Sequence, residues 1–218
     1  MVLDSNVVSA MKTIQSSKNR SKVLTAYQRV LEFSLFFDLP LVDFLDEKTT
    51  TEFSWADFGS GNQIALREAK YNLDSRPFRT YAVDMLEIDP EEKIVYDLNK
   101  NLFPWSSRKL ASYESDRKVL GELFASYYAP VSFTDDIADV VLPEKVDLIT
   151  AAWVFPYIKN PIPAIDNAYN HLNEGGFFVF NTEFSAISDL RSFVETINNK
   201  YSSKIFSKDG ELYCCCRK

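Results

Sequence analysis

The chain predicts an α/β fold: a mostly parallel sheet with helices on both faces and an antiparallel hairpin at its C-terminal end. Three observations carry that prediction. Strand and helix patterns alternate from residue 53 onward, a glycine turn joins the first strand to its helix, and Asp209-Gly210 separates two strand-like runs near the end. Four of the six glycines fall in two clusters, at 59 and 61 and at 175 and 176, which marks places where the backbone does what a side chain would forbid.

Residues 1–50 read as helical and amphipathic. Val23, Tyr27, Val30, Leu31, Phe33, Phe36 and Phe37 keep a roughly helical spacing, and Pro40 breaks or kinks the run. Strands are expected at 53–58, 79–84, 131–134, 146–152 and 176–184. A helical run opens at Gln63, and Asp89 can cap another, with Pro90 in its first position and Glu91 and Glu92 in its first turn. Ile94, Val95, Leu98 and Leu102 give that second helix an apolar face. The stretch 103–130 exceeds an ordinary helix-to-strand connection and has helical spacing of its own through Leu110, Tyr113, Leu120, Leu123, Phe124 and Tyr127. Gly175 and Gly176 are expected to end a helix and start a strand. A helix over 186–200 then leads into the hairpin strands 204–207 and 211–216. The expected organisation is one domain over 1–218, with 1–50 as an N-terminal helical cap and 103–130 as a helical insertion over the site.

Composition narrows the function classes. A net charge of −7 argues against a surface built for nucleic-acid phosphates, and no basic run offsets it. Neither a signal-peptide pattern nor 18 uninterrupted apolar residues is present, so a soluble, cytoplasmic protein without a membrane partner is expected. Cys214, Cys215 and Cys216 are adjacent and alternate across a strand. They therefore converge on no metal, and Cys214 and Cys216 are expected to be small hydrophobes on one face. Count and spacing exclude a disulfide framework. The one histidine, His171, reads as a helix-end surface residue rather than a base.

The turn at 57–62 competes for three ligand types. A P-loop needs Gly-Lys-Ser/Thr, which is lacking, and a dinucleotide fingerprint needs a third glycine where Ile64 stands. Asp57, just before the first glycine, would repel a pyrophosphate but suits a ligand with an ammonium or sulfonium group.

Here the sequence resembles the class I (Rossmann-like) S-adenosylmethionine-dependent methyltransferases. Asp57-Phe58-Gly59-Ser60-Gly61 matches the acidic–x–Gly–x–Gly first motif, and Tyr81-Ala82-Val83-Asp84 looks like a second strand ending in an acidic residue. Phe133-Thr134-Asp135-Asp136-Ile137 resembles the third-strand segment, residues 142–149 the approach to and start of strand four, and residues 171–179 the Leu-x-x-Gly-Gly turn before strand five. The family often has a third glycine where this chain has Gln63.

The resemblance implies a Rossmann-like methyltransferase fold with a seven-stranded sheet, and S-adenosylmethionine as cofactor. Gly59 and Gly61 would admit the methionine part, Asp57 would orient its amino end, and Asp84 would accept both ribose hydroxyls. Asp136, or else Asp135, would receive the adenine amino group with Ile137 against the ring, and Ser60, Met85 and Ala152 would complete the cofactor site. Trp153 and Tyr157 would face the methyl group and the acceptor, with Tyr113, Phe124 and Tyr127 of the insertion beside them.

Each of these residues also has a plainer reading: the aspartates as strand-end caps or turn residues, Trp153 and Tyr157 as core aromatics. The reaction expected is in-line methyl transfer to a small-molecule or protein acceptor, with no catalytic base identifiable. The segment at 151–157 departs from the Asn/Asp-Pro-Pro-Tyr/Phe of amino-group nucleic-acid methylases, which demotes nucleic acid. The alternative is an inactive methyltransferase-like protein that binds cofactor or a protein partner.

Overall fold

In a computed structural model that describes residues 52–60, 63, 66, 78–85 and 130–218, seven strands form one sheet. They are β1 (Phe53–Phe58), β2 (Phe78–Asp84), β3 (Val131–Thr134), β4 (Val146–Ala151), β5 (Leu172–Glu183), β6 (Ser202–Lys208) and β7 (Glu211–Arg217). Their order is β3-β2-β1-β4-β5-β7-β6. The β1–β2, β1–β4, β2–β3 and β4–β5 pairs are parallel, and β7 runs antiparallel to both β5 and β6. The chain leaves β1 toward β2 and β3 on one side, then returns to β4 and β5 on the other. This reversal opens a crevice at the carboxyl ends of β1 and β4.

Two helices are described, α1 (Pro161–Asn170) and α2 (Leu190–Lys200). Strand alternation sends Ala56, Phe58, Tyr81, Val83, Ile149, Ala151, Phe178, Phe180, Cys214 and Cys216 into one buried cluster. Ala164, Ile165 and Ala168 of α1 and Phe193 and Ile197 of α2 pack into the same cluster. Burying each phenylalanine there contributes ~1.5–3 kcal/mol. The alternate residues Trp55, Leu148, Phe177, Val179 and Cys215 point to the opposite face and are buried too. The expected cap over 1–50, the helix opening at Asp89 and the helical run within 103–130 lie outside the described residues.

The hairpin forms as its sequence demands. Asp209 (φ 52°) and Gly210 (φ +85°) both take left-handed conformations, the signature of a tight turn whose twist suits the flanking strands. The cysteines are free and buried, and burial pushes the Cys215 thiol up to about 12 and raises the other two as well. No described helix is long and apolar enough to cross a membrane.

Two expected boundaries move furthest. The helix expected over 186–200 begins at Leu190, because the Asp189 side chain accepts the Ser192 N–H at 3.0 Å and caps it there. A short 3-10 turn, Phe184–Ala186, precedes it. Gly175 and Gly176 do not end a helix. α1 stops at Asn170, β5 already pairs Leu172 with Val146, and the glycines lie in a bulge before pairing resumes at Leu148 and Phe177. A Cβ on Gly176 would stand 2.9 Å from the Asn173 carbonyl oxygen and 3.0 Å from that of Asp147, so close backbone approach requires the glycine.

Carboxylates at the amino ends of the strands are spent on structure. Asp147 accepts from the Ser54 N–H (2.9 Å), the Ser54 hydroxyl (2.9 Å) and Asn173 Nδ2 (2.8 Å), tying β1, β4 and β5 together. Glu144 accepts from Arg79 (2.6 Å) and from the Tyr81 hydroxyl (2.5 Å). Burial, then that hydrogen bond to Glu144, pushes the Tyr81 phenol up to about 12. Tyr201 and Lys200 both donate to Asp166 of α1; although burial opposes it, these two hydrogen bonds hold the Asp166 carboxyl below its ordinary value.

His171 closes α1. Its Nδ1 lies 2.9 Å from the Asn167 carbonyl and its Nε2 accepts the Leu142 N–H at 3.1 Å, so the ring is a neutral bridge between α1 and the approach to β4. It is half-buried and structural rather than a surface residue. His171→Ala leaves the buried Leu142 amide unpaired and should lower the unfolding free energy by about 1–3 kcal/mol. Urea denaturation checks this, and an unchanged midpoint would show that the bridge is dispensable.

Candidate functional site

On β1, Trp55 and Asp57 share a face, and β4 places Leu148 and Thr150 opposite them. The Thr150 hydroxyl donates to Asp57 Oδ1 at 2.6 Å and accepts from the Trp55 indole N–H at 2.8 Å. A hydroxyl can do both at once, so one side chain satisfies a buried indole and orients a carboxylate only 6% exposed.

The turn that follows is shaped by close approach. Gly59 has φ +72°, and a Cβ there would lie 2.2 Å from Val154 Cγ2 in the segment after β4. The N–H groups of Gly59 and Ser60 both donate to the Val83 carbonyl, at 2.7 and 3.0 Å. The β2 carbonyl therefore already satisfies both of these turn N–H groups. Ser60 Oγ is buried without a hydrogen-bond partner. Gln63, in place of a third glycine, keeps the left-handed conformation (φ 62°) and donates from Nε2 to Ser132 Oγ on β3 at 2.8 Å.

Asp84 ends β2, half-buried, on the same face as Ala82, which pairs with Asp57. Its carbonyl accepts the Asp135 N–H at 3.0 Å, which holds the exit of β3 beside it. Met85 is 69% exposed at the rim. Asp135 and Asp136 are exposed, and each carboxylate gives one oxygen to the turn: Asp135 Oδ1 to the Asp136 N–H and Asp136 Oδ1 to the Ala138 N–H. Ile137 belongs to the core cluster with Val140 and Leu142, and its carbonyl accepts from Asn167 Nδ2.

Beyond β4, Ala152 and Trp153 are half-buried. Trp153 has φ 61° and donates its N–H to Asn181 Oδ1 at 2.8 Å. Tyr157 is 88% exposed, so it is no core aromatic; Phe155 fills that role, 4.8 Å from the Phe180 ring. The fold thus brings Asp57, Gly59, Ser60, Asp84, Met85, Asp135, Asp136, Ala152 and Trp153 to the carboxyl ends of four adjacent parallel strands. Gly61, Tyr113, Phe124 and Tyr127 lie outside the described residues.

Thr150, Val154 and Asn181 were missed by sequence reasoning. Only Asn181 left a signal, as a polar residue on a strand run that is apolar from Phe177 to Phe180. In chemical terms the cleft offers acidic acceptors, a partnerless buried hydroxyl and a turn whose described N–H groups are occupied. That set is wrong for a phosphate and fits a cationic ligand rich in hydroxyl and amino donors.

Residues 17–202 match the family model described as a methyltransferase domain. A search of curated protein sequences finds no match. Among solved structures, the chain is similar to N-methyltransferase NodS from Bradyrhizobium japonicum WM9 in complex with S-adenosyl-L-homocysteine, at 13% identity over 98% of each chain and a TM-score of 0.52. It is also similar to a TehB-like SAM-dependent methyltransferase from Corynebacterium glutamicum ATCC 13032 Kitasato, at 12% identity over 98% of this chain and 96% of that one, TM-score 0.51. A chain of a fibrillarin/Nop5p complex shares 14% identity over 84% of this chain and 82% of its own, TM-score 0.50. At these identities the likeness is one of fold.

Gly59→Ala tests the turn. The added Cβ meets a stiff β-branched side chain in a left-handed backbone, so the variant should lose about 2–4 kcal/mol of stability, read from urea midpoints. Val154→Ala in the same chain should recover part of that loss. A Gly59→Ala protein as stable as wild type would show that the approach of Val154 does not constrain this position.

Proposed function

The chain belongs to the methyltransferase-domain family, and from that premise we propose that it transfers the methyl group of S-adenosylmethionine to a small-molecule or protein acceptor by in-line displacement. One observation carries the reading to this cleft: Asp57 and Asp84 stand at the ends of adjacent parallel strands around a turn in which Gly59 is left-handed and lies close against Val154. When bound, the cofactor supplies the electrophilic methyl group.

The residues of the chain bind, orient and exclude water. Asp57, one oxygen held by Thr150, directs its carboxylate at the amino end of the cofactor. Ser60 offers its hydroxyl to the same tail, and Gly59 and Gly61 let the backbone come close. Asp84 accepts the ribose hydroxyls, Met85 covers the sugar from the rim, and the second oxygen of Asp136 or Asp135 takes the adenine amino group. Ile137 anchors that turn to the core from below. Ala152 and Trp153 lie on the methyl side, where alignment of the acceptor nucleophile is the main catalytic task.

An acceptor with an aromatic or apolar part fits exposed Tyr157 and half-buried Trp153. Tyr113, Phe124 and Tyr127 of the 103–130 insertion would close over it, within one domain capped by 1–50. The net charge of −7 disfavours a nucleic-acid acceptor, and three unpaired buried thiols suit a cytoplasmic setting.

Calorimetric titration of S-adenosylmethionine and S-adenosylhomocysteine into wild type and Asp84→Ala tests the proposal. Wild type should bind saturably, and the variant should lose about 1.5–3 kcal/mol, the range for hydrogen bonds to a charged group. Folded wild type that binds neither ligand would overturn it.

A further inference from the structure

The segment after β4 is strained at Trp153, and the Asn181 side chain accepts a hydrogen bond from it there. Trp153 sits at φ 61°, a left-handed conformation that non-glycine residues keep only where their surroundings impose it. Its N–H donates to Asn181 Oδ1 at 2.8 Å, and Asn181 is 2% exposed. An amide alone could face either way. Here its Nδ2 donates to Glu211 Oε2 at 3.3 Å, and a carboxylate only accepts, so the oxygen end must face Trp153. The Tyr213 hydroxyl donates to that same Glu211 oxygen at 2.7 Å and fixes it in turn. The relay thus runs from β7 through β5 to the segment after β4. Its next residue is Val154, whose methyl groups fill the space beside Gly59.

We propose that Asn181 is a positioning residue for methyl transfer. Oriented by Glu211 and Tyr213, it keeps Trp153 left-handed and so seats the segment after β4 against the glycine turn. The proposal rests on reading this cleft as the cofactor site. Asn181 acts through Trp153 and Val154, not by touching the cofactor. Removing its acceptor oxygen lets Trp153 relax to an ordinary conformation, which shifts Val154 and loosens the turn.

The test exchanges donor and acceptor within the relay of the full-length protein. Asn181→Leu removes both hydrogen bonds, and Asn181→Asp sets a carboxylate against Glu211. Combining Asn181→Asp with Glu211→Gln restores complementarity in the opposite sense, because the amide introduced at 211 can donate to the carboxylate introduced at 181. Glu211→Gln alone still accepts from Asn181 and Tyr213. Two readouts are taken with circular dichroism as the check on folding: S-adenosylhomocysteine affinity by calorimetry, and Trp153 emission, taken as the difference between each protein and its Trp153→Phe counterpart.

Asn181→Leu and Asn181→Asp should each weaken S-adenosylhomocysteine by about ten-fold and shift the Trp153 emission. Glu211→Gln and the Asn181→Asp/Glu211→Gln pair should lie within about three-fold of wild type, with its emission. Asn181→Leu and Asn181→Asp proteins that match wild type in both readouts, or an Asn181→Asp defect that Glu211→Gln does not relieve, would overturn the proposal. Wild type that fails to bind S-adenosylhomocysteine would instead defeat the cofactor reading, and the emission of the four variants would still decide whether Asn181 holds Trp153 in place.

Discussion

The cleft depends on the hydrogen bond from Thr150 to Asp57. A carboxylate almost withdrawn from water at the end of a central strand is costly unless something donates to it, and the fold provides that donor from the neighbouring strand. β1 and β4 are where the strand order reverses, so the bond joins the two walls of the crevice. Because Thr150 also satisfies the Trp55 indole, its hydroxyl proton is committed toward Asp57. The carboxylate is thereby held in one orientation before any ligand arrives.

Strain gathers at the same end of the sheet. Among the described residues, two of the three non-glycine residues with positive φ, Gln63 and Trp153, flank the site, and each is tied down by a side-chain or backbone hydrogen bond across to another strand. The third, Asp209, lies in the hairpin turn, where such a conformation is ordinary. The amino ends of the strands show the opposite character. There Asp147 and Glu144 are surrounded by donors and serve only to fix strand register and strand ends. Acidic residues at the two ends therefore do different work, and their partners, not their residue type, make the distinction.

Much of this was legible in the chain. Short strand-like runs bounded by turn signals located all seven strands to within a few residues, since strands buried on both faces read as brief, largely apolar stretches. Asp209-Gly210 announced the hairpin, and the alternation of Cys214 to Cys216 announced a strand with small apolar faces. Less legible were the places where one side chain has two plausible tasks. Gly175 and Gly176 resemble a helix stop, yet they serve a bulge, because the backbone approach that requires them comes from β4. Phe155 and Tyr157 are two residues apart in one short turn, and nothing local says which ring is buried.

The sequence by itself determined the succession of strands and helices along the chain, the glycine turn and the acidic residues at two strand ends. These are properties of a residue and its near neighbours, set by backbone sterics and side-chain charge. Tertiary structure alone decided that Gly59 must make room for Val154, that Thr150 orients Asp57, and that Asn181 reaches Trp153. Residues 57 and 150, or 153 and 181, meet only after strands far apart in the chain lie side by side. A hydrogen bond falls away within a fraction of an ångström of its ideal length, so its partners are set by packing and cannot be read from spacing.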